Sequence, residues 1–363
     1  MKPERILYIN GGILDRGGIT SYMMNYYRHF DRDLLQVDFV AHGGEGPADG
    51  EIRHLGGEIF HVPTKRESLT GNVRTLNRLF ASGKYRLVHA HMDAMNGMVL
   101  KLAEKQGIPI RISHSHSTNL LTTNKLKILL HERVRKKIPR YATQLWACSN
   151  AAGQWLYGQD ASFTVVPNAI DTERFCFRTE VREKIRTKLG LAGKHVVGHI
   201  GTLAYPKNQE FLIELFPEVL KKRPDAVLLL AGEGRSRTQL EAMIAERGLG
   251  QQIRFLGQRN DVQDLLSAFD VFAFPSLFEG FPVVMLEVQA NGCPCVLSGN
   301  ISNEVVLAGN VRKIPLQNKK EWIDTLSGTQ TRESDGIRIL KEKGYEISDA
   351  ARVLQNTYLE LLK

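Results

Sequence analysis

Short apolar runs alternate with amphipathic stretches along the whole chain, and the series is played twice. The first series reads RILYIN (5–10), VDFVAH, EIFHV, LVHAH, IPIRISH, LWACS and TVVPN, with segments such as NVRTLNRLFASG and AMNGMVLKLAEKQG between the runs. A strand that is apolar on both faces is buried on both, and parallel strands need long crossovers, which helices supply. After Phe175 the text turns polar and helical (RTEVREKIRTKLGL), and then HVVGHIG, AVLLLAG, IRFLG, VFAFP and PCVLSG repeat the rhythm. The alternation predicts an α/β fold of two doubly wound, Rossmann-like domains facing a cleft, with ligand loops at the carboxyl ends of the strands. The shift to charged residues puts the boundary within 172–192, and a length of 363 residues suits two cores. A last amphipathic piece, SDAARVLQNTYLELLK, is expected to be a helix with Ser348 as its N-cap.

Composition narrows the partners. With 42% hydrophobic and 24% charged residues, the chain is neither disordered nor fibrous. No apolar run nears the roughly 18 residues of a spanning helix, and Ile6 to Ile9 is too short for a secretory signal, so the expected location is cytoplasmic. Cys148, Cys176, Cys293 and Cys295 lack metal-ligand spacing and are expected to be free, buried thiols. A net charge of +9 favours anionic partners such as phosphates or acidic lipid. No nucleic-acid recognition module is visible, so nucleic acid is not expected among them.

Three loops invite chemistry. Gly11-Gly12 and Gly17-Gly18 bracket the first strand-to-helix turn but match neither the dinucleotide fingerprint nor a P-loop, leaving a glycine turn at a helix N-terminus or a tight turn without a ligand. Gly201 and Lys207 follow the first strand of the second series, where the lysine is either a cation for a diphosphate or a solvated surface group. The third is SLFEGFPVVMLEVQANGCPC (276–295), with two carboxylates in an apolar setting. A helix with Pro282 in its first turn, ending at Asn291-Gly292, separates Glu279 and Glu287 by about 10 Å along its axis. That is close to the span from a hexose to a ribose across a diphosphate, whose charge the helix N-terminus would face. Alternatively Glu279 is a loop or capping acid and Glu287 part of a solvated stripe.

Glu279-Gly-Phe-Pro-x4-Glu287 with Gly292-x-Pro294 resembles the E-x7-E motif of the family 4 retaining glycosyltransferases, which have the GT-B fold. The resemblance runs along nearly the whole chain: the Gly17-Gly18 loop, Val88-His-Ala-His91, the strand ending HSHS, Ala147-Cys-Ser149, Val166-Pro-Asn168-Ala-Ile-Asp171, Gly201 with Lys207-Asn208, Ala231-Gly-Glu-Gly234, Phe255-Leu-Gly257 and Pro275-Ser276. It implies a nucleotide-sugar donor, a hexosyltransferase activity and no metal or other cofactor. Glu287 would bind the donor ribose and Glu279 the sugar, with the backbone of Gly280, Phe281 and Pro282 against the sugar and phosphates. Lys207 would neutralise the diphosphate, Gly17 and Gly18 would cap it, Gly201 and Thr202 would line it, and Phe255, Leu256 and Gly257 would hold the base. A catalytic histidine is expected at His114 or His116. Many relatives have arginine where this chain has Thr202, so Arg259 or Arg16 is a candidate replacement.

The same resemblance divides the chain into an acceptor-binding domain (1–175), a nucleotide-sugar-binding domain (176–345) and a C-terminal helix (346–363) packing back on the first. It makes a lipid-linked saccharide of bacterial exopolysaccharide or capsule synthesis the expected acceptor. TTNKLKILLHERVRKKIPR (122–140) is expected to be one helix, with Leu126, Leu130, Val134 and Ile138 packed on the sheet and seven Lys/Arg residues around the rest. Its basic face suits either an anionic membrane surface or plain solvent. Two other functions share this fold: a nucleotide-sugar epimerase, active on donor alone, and a non-catalytic nucleotide-sugar binder.

Overall fold

In the first sheet, β1 (Glu4–Asn10), β2 (Leu35–His42), β3 (Ile59–Val62), β4 (Leu87–His91), β5 (Ile110–Ser115), β6 (Gln144–Ala147) and β7 (Thr164–Val165) lie in the order β3-β2-β1-β4-β5-β6-β7, all parallel. This computed structural model describes residues 2–120 and 124–363. Every residue of β2 and β4 is buried, as apolar runs covered on both faces must be. One face packs against helix α1 (Gly18–His29) and the last helix, Ile347–Leu362; Ile6, Tyr8, Phe39, Tyr26, Ala351 and Tyr358 belong to that core. Leu7, Ile9, Val88, Val99 and Phe80 form the core on the opposite face.

The second sheet contains β8 (His195–Ile200), β9 (Ala226–Ala231), β10 (Ile253–Gly257), β11 (Val271–Phe274), β12 (Cys295–Ser298) and β13 (Val311–Ile314), in the order β10-β9-β8-β11-β12-β13 and again parallel. Contacts divide the chain into Met1–Ala169 with Ile347–Lys363, and Ile170–Glu346. The strand order reverses between β1 and β4 in one unit and between β8 and β11 in the other, the place where open α/β sheets leave a crevice for ligands.

Three local expectations change. The last helix opens at Ile347, so Ser348 lies in its first turn and is not the cap. The stretch 122–140 is not one helix: α2 (Lys125–Arg135) ends before a separate turn, Ile138–Tyr141, and Thr122 and Thr123 lie outside the described residues. Nor does its apolar side pack as a unit, since Ile138 is fully buried whereas Leu126 is 80% exposed and Leu130 53%. Pro139 explains the break: without an N–H it cannot donate to the Arg135 carbonyl four residues back, so α2 ends there and the chain restarts with the proline in the first turn of Ile138–Tyr141. Finally, β13 (VRKI) gives no clear signal in the sequence; it is a short edge strand with two cations among its four residues.

Cys148, Cys293 and Cys295 are buried free thiols and Cys176 is a partly buried one. Among the described residues no helix is long and apolar enough to cross a membrane.

Candidate active site

In the second unit the loops after β8 and β11 are tied to each other. Leu277 N–H donates to the Pro206 carbonyl at 2.8 Å, and Asn208 Nδ2 to the Pro275 carbonyl at 3.1 Å. Asn208 takes a left-handed φ of 54°, which asparagine tolerates, and so turns the chain into helix α3 (Gln209–Lys222). This tie brings Lys207 Nζ to 2.7 Å from Glu279 Oε1, with the side chains 21% and 14% exposed. The ammonium also lies 5.1 Å from the Phe274 ring centroid, a favourable cation–π distance. Gly201 lies against the lysine stem: a Cβ there would stand at ordinary contact distance, 3.5 Å, from Lys207 Cδ and Cε. Gly232, at φ +140°, passes so close that a Cβ would fall 2.0 Å from the Gly201 carbonyl oxygen.

Helix α4 (Val283–Ala290) follows Glu279. Pro282 is its N-cap rather than a member of its first turn, and Glu287 sits inside it. Burial pushes the Glu287 carboxyl up to about 7, with the Arg174 guanidinium pulling the other way. The Phe281 ring stacks on Tyr345 at 5.5 Å between centroids. Gly292, at φ +68°, ends the helix region where a Cβ would meet the Glu333 carbonyl oxygen at 2.0 Å.

The other predicted donor residues are spread along this edge. Phe255, Leu256 and Gly257 close β10, where pairing with β9 slips between Phe255 and Gly257 and Gly257 takes φ +65°. The Arg237 guanidinium lies 4.9 Å from the Phe255 ring. The Thr202 side chain is exposed, while its carbonyl accepts from Gln209 Nε2 at 2.9 Å. Arg259 is held by Asp261 through Nε at 2.8 Å and Nη2 at 2.5 Å, which ties up that candidate substitute for the cation missing at Thr202.

In the first unit, Gly17 is the N-cap of α1, and its N–H donates to Asp15 Oδ1 at 2.8 Å; the same oxygen accepts from Thr20 Oγ1 at 3.2 Å. A Cβ on Gly17 would stand 2.9 Å from Asp15 Oδ1, the tip of a side chain free to shift, and Gly18 faces open space. His114, next to last in β5, has no exposed surface, and His116, just beyond the strand, is partly exposed. Burial lowers both imidazole pKa values, that of His116 to about 3. Asp93, at a left-handed φ of 48°, accepts from the His116 N–H at 2.6 Å, and burial pushes its carboxyl up to about 6.

Four contributors lie outside the sequence reading: Asp15, Asp93, Arg174, and the partnership of His89 and His91 with His114 and His116. The repeated His-x-His of LVHAH and HSHS is the one signal that could have revealed the last. Side chains two apart share a strand face, and β4 and β5 are parallel neighbours.

The profile described as Glycosyltransferase Family 4 matches residues 16–174, and that described as Glycosyl transferases group 1 matches 181–324. A relative from Bacillus subtilis (strain 168), named as the glycosyltransferase EpsF, is 32% identical over 98% of this chain and 96% of its own. The UDP-Gal:alpha-D-GlcNAc-diphosphoundecaprenol alpha-1,3-galactosyltransferase of Escherichia coli is 29% identical over 69% of this chain and 68% of its own. Among solved structures, sucrose-phosphate synthase from Thermosynechococcus elongatus superposes with a TM-score of 0.80 at 19% identity, covering 99% of both chains. Anabaena HepE in complex with UDP and glucose gives 0.76 at 19% identity, over 97% of this chain and 98% of that one. The chain therefore belongs to the group 1, family 4 glycosyltransferases of GT-B fold, and it is a hexosyltransferase.

Proposed function

We propose that the chain moves a hexose, with retention at the anomeric carbon, from a uridine diphosphate sugar to a lipid-linked saccharide in bacterial exopolysaccharide or capsule assembly. The observation that carries this reading is the Lys207–Glu279 pair at the reversal point of the second sheet, with the partly buried carboxyl of Glu287 on the helix that follows. In this pair the cation and the anion balance each other. With donor bound, Lys207 turns to the diphosphate, Glu279 accepts from sugar hydroxyls, and Glu287 accepts from the ribose diol. Gly280, Phe281 and Pro282 lie along the sugar and phosphates, while Gly17, Gly18, Gly201 and Thr202 approach the diphosphate. Phe255 to Gly257 hold the base through backbone groups. Negative charge grows on the departing phosphate in the transition state, and Lys207 with the N-terminal N–H groups of α4 stabilises it, so the displacement needs no metal. Of the two candidate histidines His116 is partly exposed and His114 enclosed, so His116 is the one assigned the catalytic role.

The name of the Escherichia relative, a galactosyltransferase acting on a diphosphoundecaprenol saccharide, supports a saccharide acceptor on a lipid diphosphate. Helix α2 supports contact with the membrane that holds such an acceptor: Leu126, Leu129 and Leu130 are 80%, 50% and 53% exposed, and Lys125, Arg133, Lys136, Lys137 and Arg140 are exposed near them. Each basic residue at an anionic surface is worth about 1 kcal/mol at moderate salt. The test is a panel of UDP- and GDP-sugars with and without an undecaprenyl-diphosphate saccharide, scoring released nucleotide and product anomer. Acceptor-dependent release of UDP with retained configuration is expected; turnover of donor alone, or an inverted product, rejects the reading. Replacing Leu126, Leu129 and Leu130 by serine should abolish salt-sensitive binding to anionic vesicles, and unchanged binding removes α2 from the account.

A further inference from the structure

We propose that His91 is a positioning residue for sugar transfer: it engages Nε2 of His116 and leaves Nδ1 as the ring nitrogen that His116 offers to a substrate. The inference rests on the reading of His116 as the catalytic histidine. His91 is the last residue of β4, and His116 comes directly after β5. Ala90 pairs with Ser113, so His91 stands level with His114, and His116 continues the same face two residues on. This brings Nδ1 of His91 to 2.8 Å from Nε2 of His116. Burial keeps both rings neutral, pushing His91 well below its ordinary pKa and His116 down to about 3. A neutral imidazole has one N–H and one lone pair, so at this distance one ring donates and the other accepts.

The other neighbours of His116 hold its plane without choosing its orientation. His114 stacks on it with centroids 4.2 Å apart and planes 13° from parallel, and Tyr22 of α1 stands edge-on at 5.0 Å. The backbone beneath is fixed as well, since Asp93 Oδ1 accepts from the His116 N–H at 2.6 Å. A half-turn about the Cβ–Cγ bond would keep all three contacts, because it leaves the ring in the same plane with nearly the same outline. It would exchange Nδ1 with Cδ2 and Nε2 with Cε1. Among the described residues the bond to His91 is the one side-chain hydrogen bond of His116, and it alone tells the two orientations apart.

In the orientation that His91 selects, Nδ1 of the partly exposed His116 has no partner among the described residues. After the half-turn a carbon would occupy that place, and a C–H is a poor partner for a sugar or phosphate oxygen. His91 itself has no exposed surface, so its effect on a substrate passes through His116. Its nitrogen, not its volume, carries the role.

The test compares acceptor-dependent turnover in wild type, His91→Phe and His91→Asn, with the UDP-sugar that the donor panel selects. Phenylalanine keeps a flat ring and removes the nitrogens, whereas the asparagine amide can stand where Nδ1 of His91 stood. His91→Phe should lower kcat about 10- to 100-fold, the scale of a misplaced catalytic group, with KM for the donor nearly unchanged. His91→Asn should recover most of the loss. A second measurement needs neither turnover nor a folded variant: in the wild type labelled with ¹⁵N-histidine, Nδ1 of His91 and Nε2 of His116 should show a ¹⁵N–¹⁵N coupling carried by the shared proton. Equal losses in the two variants, a His91→Phe enzyme at the wild-type rate, or no coupling would each overturn the role of His91. A His116→Ala enzyme at the wild-type rate would instead remove His116 from the proposed function, and the role of His91 with it, even where the coupling reports the bond.

Discussion

Replacing Lys207 by methionine keeps the length and apolar stem of the side chain and removes only its charge, which separates two roles the lysine is assigned. Its ammonium lies 2.7 Å from Glu279 Oε1, with the two side chains 21% and 14% exposed. Taking one partner from a fully buried pair costs about 3–5 kcal/mol, whereas an exposed pair is worth about 0–1 kcal/mol. Partial exposure puts Lys207→Met between those limits, at about 1–3 kcal/mol. For a unit of this size that lowers the unfolding temperature by roughly 2–4 °C per kcal/mol. In catalysis, losing one preorganised charge at the departing phosphate costs about 10²–10³-fold in kcat. Glu279→Gln in the same background separates the two effects: it removes the orphaned carboxylate and should restore part of the stability while leaving turnover low. Calorimetry and acceptor-dependent nucleotide release measure the two quantities. A Lys207→Met protein that turns over within about tenfold of wild type would refute a leaving-group role.

Glu287 gives a pH signature. Its carboxyl keeps its proton up to about 7 in the folded chain against an ordinary value of 4.5, so the folded state binds more protons between those values. Stability from this group is complete below 4.5 and is lost as pH rises through about 7; Glu287→Gln should flatten that slope in urea titrations. Donor affinity should move the other way, rising toward pH 7 in wild type and not in the variant, because the ionised carboxylate is the better acceptor for ribose hydroxyls. Tyr358→Phe removes a hydroxyl placed between Tyr8 and His89 at 2.8 and 2.7 Å, and should cost about 2–4 kcal/mol; a change below about 0.5 kcal/mol would show that the chain of hydrogen bonds adds nothing. Gly232→Ala drives a methyl toward the Gly201 carbonyl, 2.0 Å from where Cβ would stand; it should cost about 3 kcal/mol or more and depress turnover by displacing the loop that carries Lys207.

The sheets were legible because parallel strands covered on both faces are written as uninterrupted apolar runs, as in AVLLLAG and VFAFP. Where a strand lies at an edge and carries charge, as Val311–Ile314 does, that signal vanishes. The 122–140 stretch misled for a related reason: helical spacing of Leu126, Leu130, Val134 and Ile138 is a statement about one continuous helix, and Pro139 breaks the continuity on which the pattern depends. Gly201 and Lys207 could be read as a loop after a strand, but their meeting with Glu279 depends on which strands are neighbours. That the loops after β8 and β11 are adjacent follows from strand order, not from chain order. The histidine rows show the same limit, since two His-x-His words become one cluster only when β4 and β5 pair. Asp15 was missed because its two donors, the Gly17 N–H and the Thr20 hydroxyl, meet it only once the chain turns into α1.

The most direct test is a crystal structure of the chain with an unhydrolysed uridine diphosphate sugar. The account predicts Glu287 within hydrogen-bond distance of the ribose hydroxyls, Glu279 on the hexose, and Lys207 swung from Glu279 onto the diphosphate. A donor bound with neither carboxylate touching a sugar ring, or with Lys207 still paired to Glu279, would contradict it.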